Sequence, residues 1–290
     1  MSVGSVEKRK SINTIIKHYR EEKKITMLTC YDYSTAKCLD EAGIDMILVG
    51  DSLAMVVLGY ENTLQVSIKE MEIFTQAVAR GSKKSLIVAD MPYLSYEISK
   101  EEALRNAGQL IRSGAQAVKL EGASESVIES IKYLTDNSIP VVGHIGFTPQ
   151  QINAIGGYNI QGKSFEKTIK MYEQAKKLEE AGVFAIVLEM VPEQSAKFIT
   201  ESINTPTIGI GAGKYCSGQV LVIDDMLGKY PNFTPKFVKR YADLKTTMIS
   251  AIKKYIHDVE CNKFPSEDEI FNLNEEEFRK LNDYISRRSK

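Results

Sequence analysis

The chain has 290 residues, a formal net charge of −1 and 43% hydrophobic residues, enough apolar content for one large core and a length that suits a single α/β barrel or two smaller domains. The near-balanced charge removes any electrostatic reason to expect nucleic acid or an anionic membrane as the main partner. No apolar run approaches the roughly 18 residues that span a bilayer, and the opening MSVGSVEKRK has no apolar signal region, so a cytoplasmic setting is expected.

The spacing predicts a helix over 11–20, then a strand at 25–30 (ITMLTC) and a helix over 33–42 that stops at Gly43. A second apolar run follows at 45–50 (DMILVG), with a helix over 68–80 ending at Gly81. The third run, 85–89 (SLIVA), leads to a helix over 99–112 with Ser99 as N-cap and acids in its first turn. The fourth and fifth runs, 115–120 (AQAVKL) and 140–143 (PVVG), flank a helix over 124–135. A helix over 164–181 closes at Gly182 before the sixth run, 183–188 (VFAIVL). The seventh and eighth runs are 206–210 (PTIGI) and 219–223 (QVLVI). Beyond them, 234–260 reads as one or two long helices. The more charged segment 262–290 is either a helical appendage at a subunit contact or a solvated tail.

Eight β-branched runs without strict alternation suit strands buried on both faces, as in a parallel sheet. Their alternation with helices favours a (β/α)8 TIM barrel with an N-terminal helix and a C-terminal helical extension. One link is short. About eight residues separate Ile210 from Gln219, fewer than the ~10–12 usual for a parallel crossover, so a degenerate seventh helix is expected. An open doubly wound sheet stays as the alternative. The domains expected are one barrel over 1–261 and a charged helical tail over 262–290.

Barrel active sites collect at the C-terminal ends of the strands. There this sequence places Asp51-Ser52 after the second run, Asp90 after the third, Lys119 and Glu121 at the fourth, His144 at the fifth and Glu189 at the sixth. An acid in such a position is as often a helix N-cap or loop residue. Asp51 and Asp90, however, each follow an apolar run with no helix beginning at once. Two acids on neighbouring strand ends repel unless a cation lies between them. Lys119 reads either as a substrate contact or as a counter-ion to the acids, and His144 either as a site residue or as a satisfied core histidine. Glu189 stands in an apolar stretch, where loss of water favours a base that works near neutral pH. Three scattered histidines and four cysteines without CxxC spacing make a zinc site a poor fit; carboxylates and magnesium fit better, and the thiols are expected to be reduced. The segment GIGAGK (209–214) matches neither the P-loop nor G-x-G-x-x-G, and is expected as a glycine-rich active-site loop. Gly143–Phe147 and Gly156-Gly157-Tyr158 are expected as loops flanking the mouth.

Over roughly residues 10–268 the sequence resembles the ketopantoate hydroxymethyltransferase family. The resemblance is carried by MLTCYDYSTAKCLDEAGID, ILVGDSLAMVVLGYENT, IVADMPYLSY, AVKLEG, VVGHIGFTPQ, AIVLEMVP and GIGAG followed by GQVLVIDDMLG, in that order. It implies a magnesium site at Asp51, Asp90 and Glu121, and binding of a 2-oxo acid by Asp51, Ser52, Asp90 and Lys119. His144 would lie in the active-site wall and Glu189 would be the proton acceptor. It further implies 3-methyl-2-oxobutanoate and methylenetetrahydrofolate as substrates and a homodecameric assembly. The chain departs from the family's habit at Ser217 (commonly Asp), Phe74 (often His), Gln65 (often Pro) and near Asn159 (usually basic). Another magnesium barrel acting on 2-oxo acids, of the phosphoenolpyruvate mutase or isocitrate lyase type, is the rival reading.

Overall fold

Eight strands pair in parallel, each with its neighbour in sequence, and the last returns to the first to close a barrel. The computed structural model describes residues 9–230 and 235–288. Its elements run α1 (Ile12–Arg20), β1 (Ile25–Thr29), α2 (Tyr33–Ala42), β2 (Met46–Val49), α3 (Leu53–Val56), α4 (Ile68–Gly81), β3 (Leu86–Asp90), α5 (Lys100–Arg112) and β4 (Ala117–Glu121). They continue with α6 (Glu125–Asp136), β5 (Val141–Gly146), α7 (Ile152–Ile155), α8 (Phe165–Glu180), β6 (Ala185–Glu189), α9 (Glu193–Ser202), β7 (Thr207–Ile210), β8 (Gly218–Leu221), α10 (Ile223–Met226), α11 (Leu244–Glu260) and α12 (Glu275–Arg288). The (β/α)8 barrel expected from the eight apolar runs is the fold, and the open sheet is excluded by the β1–β8 pairing.

Helix starts are set by short polar side chains. Asp32, Ser67, Ser99, Ser124 and Ser164 each accept a hydrogen bond from a backbone N–H in the first turn of α2, α4, α5, α6 and α8. Ser67 and Glu70 complete a reciprocal capping box on α4. At the other end of α2, Gly43 takes the left-handed conformation that the sequence predicts for a stop.

One link differs from expectation, and the short one follows it. Between β6 and β7 the chain forms α9, which the sequence reading did not single out. Between β7 and β8 residues 211–217 form no helix at all. The physical reason lies in the register: Gly218 pairs with Ile208, so the chain drops back only about two residues' length before it re-enters the sheet. Seven residues reach that far without a helix. Ser217 stitches the return, accepting from the Thr207 N–H and donating its own N–H to Thr207 Oγ1. Lys24 Nζ holds the carbonyl of Cys216 at 2.6 Å.

Side chains alternate across each strand and build two cores. Met46, Leu48, Leu86, Val88, Ala117, Val142, Ala185, Val187, Ile208 and Val220 fill the barrel interior, and Ile15 of α1 joins them. Burying Ile15 contributes about 1.5–3 kcal/mol, which holds α1 to the barrel. Residues of opposite parity (Ile47, Val49, Ile87, Ala89, Val118, Leu120, Ile186 and Leu188) pack outward against Leu110, Ile131, Leu178 and Ile199 of the helices.

By its internal contacts the chain divides into Met1–Tyr241 and Ala242–Lys290. The second unit holds α11 and α12, neither of which buries a residue. The helix expected over 234–260 forms only from Leu244, where Asp243 caps it, and residues 235–243 are turn and irregular chain. Thr234 lies outside the described residues, as do most of the opening segment MSVGSVEKRK and the last two residues of the tail. No described helix is long and apolar enough to cross a membrane. All four cysteines are free, with Cys30 and Cys216 buried.

Candidate active site

The interior positions change character along the strands. On β3 the inward series runs Leu86, Val88, Asp90; on β4, Ala117, Lys119, Glu121; on β5, Val142, His144; on β6, Ala185, Val187, Glu189. Parallel pairing sets these ends side by side: Asp90 is level with Lys119, Glu121 with His144, and Glu189 with Gly146. Asp51 arrives from the turn after β2, where its backbone N–H donates to Asp90 Oδ2 at 3.0 Å. A side chain on Gly50 would crowd Ser52 Oγ at 2.9 Å, so glycine keeps this turn tight. The seven residues singled out from the sequence thus lie at one end of the barrel.

Lys119, only 4% exposed, is the hub. Its Nζ lies 3.2 Å from Asp90 Oδ1, 3.4 Å from Glu121 Oε1 and 3.1 Å from His144 Nδ1. His144, 1% exposed, bridges two glutamates: Nδ1 is 3.2 Å from Glu121 Oε1, and Nε2 is 3.3 Å from Glu189 Oε2. Ser52 sits at the start of α3, its hydroxyl 2.8 Å from that of Tyr31.

Four carboxylates therefore face one lysine and one histidine, all but Glu189 buried. Burial disfavours the Lys119 ammonium, but Asp90, Glu121 and Asp51 outweigh it and raise its pKa. Burial and Lys119 likewise oppose charge on His144, while Glu121 and Glu189 raise the imidazole to about 9. Glu121 is pulled down to about 2: burial works against its charge, and Lys119 and His144 win. Asp51 goes the other way. Burial, Asp90 and Glu121 push it well above the ordinary carboxylate range. Asp90 is raised too, mainly by burial and despite Lys119. Without a further cation, the Asp51–Asp90 pair carries more negative charge than its surroundings balance.

That imbalance tests the metal expectation. Asp90 Oδ1 is buried and faces only the Lys119 ammonium at 3.2 Å, without a well-aligned hydrogen bond, a donor atom of the hard type that magnesium takes. Glu121 is engaged on both oxygens, Oε1 by Lys119 and His144 and Oε2 by the Gln150 N–H at 3.1 Å. Among the described residues no three His, Cys, Asp or Glu side chains form a ready-made cage. Two carboxylates completed by substrate oxygens and water are the usual protein share of a magnesium site, and Asp51 with Asp90 fits it.

Sequence reasoning missed several residues here. Gln150, on the short turn after β5, donates from Nε2 to Asp51 Oδ2 at 2.8 Å. The Tyr96 hydroxyl sits 2.7 Å from Gln150 Oε1 and accepts from the Glu121 N–H. The available signal was a polar Gln following Pro149 in a run that otherwise leads into apolar packing. Met190, directly after Glu189, holds φ at +49°, a costly conformation for a side chain of its size. It is fixed by the neighbouring strand and loop, through its N–H to the Ile210 carbonyl and its carbonyl from the Gln161 N–H. Gly146 faces the Glu189 carbonyl so closely that any side chain would collide with it. From the GGY loop, Tyr158 tilts over Phe147 with ring centres 5.1 Å apart. The GIGAGK loop makes its contacts with Glu193 and Gln219, through the Lys214 N–H and the Gly213 carbonyl.

Comparison with known proteins follows the same lines. Residues 9–267 match the sequence model of the family described as ketopantoate hydroxymethyltransferase. The 3-methyl-2-oxobutanoate hydroxymethyltransferase of Syntrophomonas wolfei is 52% identical over 274 residues, covering 94% of this chain and 99% of that protein. The protein of the same name from Kosmotoga olearia is 53% identical over 250 residues, 86% of this chain and 93% of its own. Among solved structures, a phosphonopyruvate hydrolase complexed with oxalate and Mg++ superposes with a TM-score of 0.59 at 11% identity, covering 97% of both chains. A 2,3-dimethylmalate lyase of the PEP mutase/isocitrate lyase superfamily gives 0.57 at 13% identity, covering 96% of this chain and 97% of its own. At such identities the two structures share the fold alone, whereas the sequence relatives match nearly end to end. With that match spanning every strand end described above, the chain belongs to the ketopantoate hydroxymethyltransferase family of enzymes.

Proposed function

We propose that this enzyme transfers a hydroxymethyl group from methylenetetrahydrofolate to 3-methyl-2-oxobutanoate, giving 2-dehydropantoate and tetrahydrofolate. The observation that carries the reading is the layer of acids around Lys119 at the strand ends, in a chain 52% identical to relatives that bear this activity as their name. Asp51, Asp90 and Glu121 would hold the magnesium ion, with Glu121 also the anchor of Lys119 and His144. When bound, the ion supplies a Lewis acid to the keto and carboxylate oxygens of the 2-oxo acid, which lowers the cost of developing negative charge there.

The chain's own groups do the rest. Lys119 and Ser52 bind the substrate's oxygens at the same end of the barrel. Glu189 removes the proton from C3, and His144, seated against Oε2, keeps that carboxylate oriented. The C3 carbanion equivalent bonds to the methylene carbon of the folate as one of its two carbon–nitrogen bonds breaks. Water then replaces the second nitrogen, its hydroxyl staying on the carbon. The proton from that water and the one taken from C3 end on the two nitrogens of the released tetrahydrofolate. The reading brings with it a cytoplasmic setting and a homodecamer, the latter checked by light scattering on the purified protein.

The test is proton NMR of 3-methyl-2-oxobutanoate in deuterated buffer with enzyme and magnesium, first without folate. The C3 signal is expected to vanish, to persist when a chelator is present, and to give way to product once methylenetetrahydrofolate is added. Exchange with pyruvate or oxaloacetate instead of 3-methyl-2-oxobutanoate would overturn the substrate assignment.

A further inference from the structure

The strands bring the acids together, but a residue outside the strands holds two of them in place. Gln150 lies on a 3-10 turn, Pro149–Gln151, immediately after β5, and is 4% exposed. Its Nε2 carries two hydrogens and meets two acceptors, Asp51 Oδ2 at 2.8 Å and the Met91 carbonyl at 2.9 Å. Those acceptors decide which end of the carboxamide is nitrogen, since a flipped amide would set its oxygen against a carboxylate and a carbonyl. From the other side the Tyr96 hydroxyl donates to Oε1 at 2.7 Å and closes the lock. The Gln150 backbone N–H takes up Glu121 Oε2 at 3.1 Å.

We propose that Gln150, locked by Tyr96, is a positioning residue for the divalent-cation site. The inference rests on the placement of the cation at Asp51 and Asp90. Gln150 grips one oxygen of Asp51 with a neutral donor and leaves the other for the ion. A lysine in its place would compete with the cation for charge, and a glutamate would add a further negative group to a cluster that already has too many. Asp51 has particular need of such support: it lies on a turn rather than within a strand, so no ladder of backbone hydrogen bonds fixes its side chain. Partners one step behind a metal ligand typically account for 10–100-fold in metal affinity.

The experiment is equilibrium binding of Mn2+, followed by the electron paramagnetic resonance of the free ion, on wild type, Gln150→Leu, Tyr96→Phe and the double variant. Thermal melts of the metal-free proteins are recorded alongside. Gln150→Leu is expected to weaken Mn2+ binding on the order of 10–100-fold. Tyr96→Phe is expected to weaken it less, and the double variant by less than the product of the two, because both act through one amide. If Gln150→Leu does not fold, Tyr96→Phe, which removes a single hydroxyl, decides alone. A lowered melting temperature with Mn2+ affinity within twofold of wild type overturns the proposal and leaves Gln150 a packing residue. Failure of the wild-type protein itself to bind Mn2+ overturns the cation site and this inference together.

Discussion

His144 holds its Nε2 3.3 Å from Oε2 of Glu189. Its other ring nitrogen is equally close to Glu121, so one buried imidazolium links the proposed base to the acid that anchors Lys119. The sign of its titration follows. Its folded pKa of about 9 lies above the ordinary value of 6.5, so the stability it contributes is fully present below 6.5 and is lost as pH rises through about 9. Thermal melts of the metal-free enzyme between pH 6 and 9.5 should therefore fall with rising pH. His144→Gln should be less stable at pH 6 and show a flatter curve over that window. A variant curve parallel to wild type would remove His144 as the origin of the trend.

Glu189→Gln keeps the size of the side chain and removes the base. The rate of C3 hydrogen exchange should drop on the order of 10²–10⁴-fold, while Mn2+ binding stays as in wild type. Exchange at the wild-type rate would rule out Glu189 as the proton acceptor.

Asp51 and Asp90 should make the protein's melting temperature depend on divalent cations. Magnesium at a hundredfold excess over its dissociation constant stabilises by about 2.7 kcal/mol, and chelator removes that increment. Asp51→Asn and Asp90→Asn should each abolish the response to added magnesium. Asp51→Asn relieves carboxylate repulsion, so its metal-free form should melt no lower than wild type, whereas Asp90→Asn also removes the buried partner of Lys119 and should melt lower. An undiminished magnesium response in Asp90→Asn would move the ion elsewhere.

Lys119→Met tests the hub. It leaves Asp90 buried without its cation and Glu121 with His144 alone, and removing one partner of a buried pair typically costs about 3–5 kcal/mol. Denaturant melts of the metal-free protein should show that loss, partly restored by added magnesium. A loss below about 1 kcal/mol would mean that the acids are neutral in the folded protein, contrary to the pull of Lys119 on Glu121.

Asp40 offers a prediction remote from the chemistry. At the end of α2 its carboxylate accepts hydrogen bonds from Ser82 Oγ, from the Lys83, Lys84 and Ser85 N–H groups and from Ser85 Oγ. Burial opposes its charge, yet these donors bring its pKa down to about 2. The stabilisation is present above the ordinary pKa of 3.8 and is lost as pH falls through about 2. Asp40→Asn should cost on the order of 1 kcal/mol at pH 7, solvent screening reducing the full value of the shift, and the gap to wild type should narrow as urea melts are taken from pH 5 toward pH 2.

The eight apolar runs, their glycine stops and the charged residues closing them were legible along the chain because each depends on local periodicity. Side-chain parity also links Val88 to Asp90, Ala117 to Lys119 and Glu121, and Val187 to Glu189, so the change from greasy to ionised along one face is written in the sequence itself. A helix such as α9, whose apolar positions are few and interrupted by Glu193, Lys197 and Glu201, gives a weaker local signal and emerges only in the folded chain. The fate of the β7–β8 link depends on how far the chain must drop back, which is a matter of register.

Which acids meet, and on which atoms, was decided by tertiary structure alone. Strand register sets Asp90 beside Lys119 and Glu121 beside His144, and nothing in the spacing of those residues encodes it. Gln150 reaches Asp51 across 99 positions because a turn after β5 folds over the ends of β2 and β4. Local sequence determines which face of a strand a residue occupies, since that follows from the two-residue period of the backbone. Contact between distant residues is settled by barrel closure, and so the charge balance at the strand ends, with its surplus of carboxylates, belongs to the fold.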